Sequence, residues 1–305
     1  MLTPLAVLAA DRVVGEPPAR WHPVVWFGRA AHEAERRLYR DGVAAGVLHS
    51  AVLVGGAAGI GIVMNRVLGR RTAAVVAGAM SVAGRMLADE VTSVGSALAA
   101  DDLALARQRV SRIVGRETGS LDAGGVARAA IESLAENSVD AVTAPLFFAA
   151  VGGAPAVLAH RAVNTLDAMV GHRTDRYERF GKSAARIDDA MAWLPARLTA
   201  AVVMTVRPRR ARQVVLIVRR DARAHPSPNG GVVEAAFAAA LGVRLGGVNR
   251  YGTEVDDRGT LGDGGPPTSL DVGRAVRLAR QTWWATAVVL TLVRLGVPRR
   301  INPTR

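Results

Sequence analysis

Three stretches of this sequence set acids, amides and arginines at spacings that could hold phosphate or a divalent cation. In the first, residues 114–140 (VGRETGSLDAGGVARAAIESLAENSVD), Arg128, Glu132, Glu136 and Asp140 recur every four positions, so a helix lines them up in one slowly drifting stripe. Acids at this spacing repel one another by roughly 0.2–0.5 kcal/mol per pair in water. Three of them beside apolar sequence therefore call for a cation such as Mg2+ with its phosphate; a solvated helix face with Arg128 as local partner is the plainer alternative. The preceding turn, 115–120, offers Arg116, Thr118 and exposed backbone N–H groups to a phosphate. Asp122 suits either a helix N-cap or a ligand.

The second stretch, 164–189 (NTLDAMVGHRTDRYERFGKSAARIDD), follows an apolar segment. Asn164 and Asp167 are one turn apart and can face the same cavity. Asp175 and Glu178 alternate with Arg173, Arg176, Arg179 and Lys182, a pattern that surface ion pairs worth at most about 1 kcal/mol also produce. Asp188 and Asp189 stand just before another apolar run, where carboxylates are costly unless paired or functional. Gly181, Lys182 and Ser183 resemble the end of a P-loop, but that motif needs glycine five residues earlier, where Arg176 stands. The third stretch, 221–234 (DARAHPSPNGGVVE), holds His225, Ser227 and Asn229 in a loop stiffened by two prolines and places Glu234 in the first turn of the next helix; a bland connector would look the same. A rigid N-terminal segment, 11–23, adds Glu16 and His22.

The elements that must carry these groups read as all-α. Residues 43–65 contain no fully charged side chain, enough to cross a hydrocarbon core of about 30 Å at about 1.5 Å per residue. Gly55 and Gly59, four apart, would let another helix approach closely. Segment 72–84 is apolar but short. Segment 141–159 is interrupted by Pro145, Gly152, Gly153 and Pro155, which predicts a broken or re-entrant helix whose freed backbone groups face a polar cavity. Segments 191–206, containing Pro195 and Arg197, and 281–293, led by Trp283 and Trp284 as interface anchors, complete a polytopic integral membrane protein with four or five apolar helices and large polar helical or loop segments. Period-two strand patterning is absent, and 244–271 reads as a Gly/Pro-rich loop within a single domain spanning 1–305.

Composition agrees with that reading. Half of the 305 residues are apolar and only 4 % aromatic, with a mean hydropathy of +0.19, between soluble domains and multispan transporters. The absence of cysteine excludes thiolate nucleophiles and Cys-ligated metals, leaving O and N ligands. The formal charge of +13 is almost wholly arginine, Lys182 being the one lysine. Without aromatics interleaved among the basic residues, anionic lipid or anionic substrate explains this charge better than nucleic acid. The ten N-terminal residues lack a basic region and run into Asp11 and Arg12, against a cleaved secretory signal.

Taken together and in this order, DRVVGEPPARWHPV, VGRETGSLD, ESLAENSVDAVTAPLFF, AVNTLDAMVGHRTDRYERFG, ARIDD, PARLTA and DARAHPSPNGGVVEAAFAAALGVRLGG resemble the CobD/CbiB family of cobalamin biosynthesis over nearly the whole chain. The segment after Gly252 matches little. The resemblance implies a multi-pass cell-membrane enzyme that condenses adenosylcobyric acid with (R)-1-amino-2-propanol or its O-phosphate, using ATP and Mg2+, near other membrane-bound cobalamin-assembly enzymes. On that reading Glu132, Glu136, Asp140, Asp167 and Asp188 supply carboxylates for Mg2+, with Glu136, Asp140 and Asp188 as its ligands. Arg116, Arg173 and Arg197, with Thr118 and Asn137, bind phosphate or substrate. Asn164, Ser227, Asn229 and His225 orient the amine, corrin amides or phosphate, and His225 or a carboxylate of Glu132, Glu136 or Asp167 takes the amine proton. Two non-enzymatic readings compete, a membrane scaffold that binds corrinoid and a small transporter. Product formation separates the enzyme from the scaffold, and corrinoid flux without covalent product marks the transporter.

Overall fold

The computed structural model describes residues 2–172, 174–251 and 254–296. Among these the chain is mostly helical: α1 (Thr3–Val14), α2 (Pro23–Leu38), α3 (Val43–Leu68), α4 (Arg70–Ala79), α5 (Gly84–Ala99), α6 (Leu103–Val110), α7 (Ala123–Ser138), α8 (Ala144–Val151), α9 (Gly153–Val170), α10 (Lys182–Val206), α11 (Ala211–Asp221), α12 (Gly230–Leu241) and α13 (Ser269–Gly296). Short α12 is apolar all round because it runs through the centre, with every residue but Val232 buried. Helices α7, α10, α11 and α13 pack about it in the main core.

The predicted loop 244–271 is instead built around an antiparallel hairpin, β1 (Leu245–Tyr251) and β2 (Glu254–Leu261), so the all-α expectation needs this correction. Its closing pair, Leu245 opposite Leu261, is buried in the main core. Alternation is missing because Gly246, Gly247 and Gly259 occupy the positions nearest the core with φ of 77°, 87° and 65°, backbone that side chains of L residues disfavour.

Helix α3 alone among the described helices is both long and apolar enough to cross a membrane, with a mean hydropathy of 2.0 over its best window and only 17 % of that window buried. Val52, Ile60, Val63 and Val67 stand exposed on it. Its packed face lies on α9 and the turn before α10: a Cβ at Gly46 would sit 1.8 Å from the Phe180 carbonyl oxygen, and one at Gly61 2.5 Å from Pro155. Gly55 and Gly59, expected to admit a neighbouring helix, have nothing within 4 Å.

The other predicted spans turn out differently. Helices α4 and α8 have 10 and 8 residues, about 15 and 12 Å at the helical rise. Segment 141–159 does break, but into α8 and α9, joined through Gly153 at φ 66°. Helix α10 has the length but carries Arg186, Asp188, Asp189 and Arg197. On α13, Trp283 is core and only Trp284 is exposed, at 41 %, so the pair is not a double interface anchor.

Candidate functional site

Between α7 and α8 the chain makes one π-helical turn, Val139–Thr143, without leaving the helical path. Pro145 explains it. Lacking an N–H, Pro145 cannot bond the carbonyl four residues back, that of Ala141, and this freed oxygen instead accepts from Ala83 N at 3.0 Å. The freed group thus pairs with backbone, not with the polar cavity expected from sequence. The wider turn rotates Asp140 relative to Glu132 and Glu136, as π-turns at functional sites do.

Asp140 enters a cluster assembled from four elements. Glu136 comes from α7, Asp140 from the π turn, Asn164 and Asp167 from α9, and Asp188 and Asp189 from α10. Asn164 is the hub, its side chain within hydrogen-bonding reach of both Asp140 and Asp188, while its oxygen accepts from Arg161 Nη1 at 3.3 Å. Burial, and after it the charge of Glu136, pushes the Asp140 carboxyl up to about 7 despite Asn164. Burial followed by the charges of Asp140 and Asp167 pushes Asp188 up to about 8. Burial raises Asp167 too, with Asp189 adding to it, and raises Asp189. Carboxylates gathered at such cost are the electrostatic signature of a functional site.

Around this cluster the remaining groups are fixed by short contacts. Glu132 has both oxygens engaged, Oε2 by Arg116 Nη2 and Oε1 by the backbone N–H of Gly246, each at 2.7 Å, and so anchors the hairpin to α7. A pocket of about 110 Å3 lies beside it, lined in part by Arg116, Glu136, Asn137 and Arg258. Asn137 donates to the Ser133 carbonyl at 2.9 Å. Thr118 is nearly buried and donates to the Arg107 carbonyl at 3.3 Å, which ties the 115–120 turn to α6. Asp122 caps α7, accepting from Gly125 N at 2.7 Å.

The stiff loop before α12 reaches the same region. Ser227 Oγ accepts from Gly230 N at 3.0 Å and starts α12. Asn229 ties α10 down, its amide donating to the Asp189 carbonyl at 2.8 Å and its oxygen accepting from Arg197 Nη1 at 2.6 Å. His225 is engaged at both ring nitrogens, Nδ1 by the Ser227 backbone at 3.1 Å and Nε2 facing Glu234 Oε1 at 3.4 Å. Burial opposes the His225 cation, but the hydrogen bond and charge of Glu234 leave its pKa raised. Burial takes Glu234 up to about 7, with His225 opposing and Glu132 and Glu136 adding. Arg258 Nη1 lies 4.0 Å from the same carboxylate.

The structure therefore brings together Glu136, Asp140, Asn164, Asp167 and Asp188, with Arg116, Glu132, Asn137, Arg197, His225, Ser227 and Asn229 around them. Arg173 lies outside the described residues. Sequence reasoning missed Arg161, Arg258 and the depth of Glu234. Arg161 had a visible signal, a charge just past the apolar segment 141–159 and one turn before Asn164, and its surroundings include the charges of Glu16 and Asp140. Glu16 in turn contacts His22, the N-cap of α2. Arg176 serves structure instead, holding buried Glu35 at 2.9 Å and lying over the Tyr39 ring. Gly181 and Ser183 are likewise packing residues, against the Val170 carbonyl and Ser50.

The oxygen-rich donor set suits a hard divalent cation. Asp188 Oδ1 is buried with no hydrogen-bond partner, which leaves a donor for one. Among the described residues no three acids or histidines gather closely enough to cage an ion unaided.

Comparison with known proteins extends the resemblance seen in sequence. The family described as CobD/Cbib protein matches residues 4–279. "Cobalamin biosynthesis protein CobD" of Mycobacterium tuberculosis is 45 % identical over 289 residues, covering 93 % of this chain and 92 % of the relative. The protein of that name from Chromobacterium violaceum is 43 % identical, with 95 % of each chain covered, and that from Rhodobacter capsulatus is 41 % identical, covering 95 % and 96 %. No solved structure matches. Matched from its first helix into its last, the chain belongs to the CobD/CbiB family, whose named relatives are cobalamin biosynthesis proteins.

Proposed function

We propose that the protein is an ATP-dependent amide ligase joining (R)-1-amino-2-propanol, or its O-phosphate, to the free carboxylate of adenosylcobyric acid. The observation that carries this reading is the gathering of Glu136, Asp140, Asp167 and Asp188 within reach of one another's charge, with Asn164 beside Asp140 and Asp188. A carboxylate is a poor acyl donor until one oxygen becomes a leaving group, and phosphoryl transfer from ATP achieves that. Asp140 and Asp188, with Glu136 beside them, would hold Mg2+, which would supply charge neutralisation for the phosphates. Arg116 and Arg197 would hold phosphate oxygens.

The amine nitrogen then attacks the acyl carbon, the C–O bond to phosphate breaks, and one amine proton must leave. His225 has both nitrogens engaged, so a carboxylate of the cluster outside the Mg2+ ligand set is the better acceptor; Asp167, its pKa raised by burial, suits that proton uptake. His225 and Glu234 hold the Ser227–Asn229 loop in place. Helix α3, apolar and largely uncovered, seats the enzyme in the cell membrane, where other cobalamin-assembly enzymes are partners.

Heavy oxygen placed in the cobyric acid carboxylate tests the chemistry. One labelled oxygen should appear in inorganic phosphate for each amide formed. Label found in AMP, or released to water with none in phosphate, would contradict activation by phosphorylation.

A further inference from the structure

A second and much larger cavity, which none of these assignments uses, lies along α7 about two turns from Glu136. Its volume is about 870 Å3, against about 110 Å3 for the pocket beside Glu132 and Glu136. The two lie end to end along α7: Gly125 and Arg128 line the large cavity, Glu132 and Glu136 the small one. Residues four apart on a helix are about 6 Å apart along its axis, so the stripe read in the sequence runs from one cavity into the other. The facing wall is β1, and Gly246 forms the junction. Its N–H donates to Glu132 and its carbonyl accepts from Arg128.

We propose that the large cavity seats the corrin macrocycle, with the reacting carboxylate arm passing Arg128 along α7 toward Glu136 and Asp140. This assignment rests on the ligase reading. The small pocket cannot admit a macrocycle, whereas the large one is at the upper end of the 300–1,000 Å3 usual for ligand sites. Its lining alternates in character as an amide-fringed ring requires. Leu98, Leu121 and Pro267 present apolar surface, while Ser120, Thr260 and Ser269 present hydroxyls. Arg128 and Arg244 supply the positive charge that a free carboxylate seeks. Glycine at 247 keeps the wall open at Arg128, since a Cβ there would lie 2.8 Å from its Nη1.

Filling the cavity tests the assignment. Ser120→Trp and Ser269→Trp, each made in the full chain in nanodiscs and checked for wild-type melting, should weaken adenosylcobyric acid binding at least tenfold and raise its KM, leaving the KM for ATP unchanged. Glu136→Gln, which disables chemistry, should bind the corrinoid as wild type does. Wild-type corrinoid affinity in both folded tryptophan variants, or a rise in the KM for ATP alone, overturns the assignment while the ligase reading stands. Wild-type protein that neither binds corrinoid nor makes product defeats the ligase reading, and this assignment with it.

Discussion

Glu136→Gln should lower the rate of amide formation by on the order of 100-fold or more, because removing one carboxylate from a Mg2+–phosphate site forfeits several kcal/mol of charge stabilisation. The fold should not suffer. Glu136 is half-buried, and its charge is the second-largest reason that the Asp140 carboxyl is pushed up to about 7. Neutralising it relieves a repulsion, so the variant should melt at or above the wild-type temperature. Single-turnover product formation and thermal unfolding, measured on the same preparation, separate the two effects. Full activity would remove Glu136 from the metal site, and loss of folding would make its role structural.

Melting of the metal-free protein should fall as pH rises from 6 to 8.5, by roughly 5 °C or more. Asp140, Asp188 and Glu234 have folded-state values of about 7, 8 and 7, all above the ordinary carboxylate value. Between that ordinary value and the raised one the folded form holds protons that the unfolded chain has lost, so stability declines as pH climbs through this window. Above about 8 all three stand ionised, with Asp140 and Asp188 repelling each other, and the loss is complete. Mg2+ binds the ionised acids and so should raise the melting temperature more at pH 8.5 than at pH 6. A flat or rising profile without Mg2+, or a Mg2+ effect independent of pH, would contradict the cluster as described.

The sequence shows the parts of this cluster more clearly than their meeting. The 128–140 stripe is legible because four-residue spacing has one meaning on a helix. Its division of labour is not: Arg128 and Glu132 are held by the hairpin, while the π turn that follows from Pro145 aims Asp140 at α9 and α10. Asn164 and Asp188 are far apart in the chain, and only tertiary packing shows that one amide serves two acids. Arg258 sits on a strand whose glycines replace the alternation that would have announced it. Among the described helices α3 alone stands out by length and hydropathy, for a related reason. Hydropathy measures removal from water, and α8 satisfies that largely inside the protein, whereas α3 does so on an uncovered face. Gly46 and Gly61, rather than the Gly55 and Gly59 pair, prove to be the packing positions, a distinction that needs the partner helix in view.

The most direct test of the ligase reading is mass spectrometry of purified protein in nanodiscs with adenosylcobyric acid, aminopropanol or its phosphate, ATP and Mg2+, each omitted in turn. The account predicts a product equal in mass to the two substrates less one water, formed only when ATP and Mg2+ are both present. Folded protein that binds corrinoid yet yields no such product under any combination would contradict it and leave a corrinoid-binding scaffold in its place.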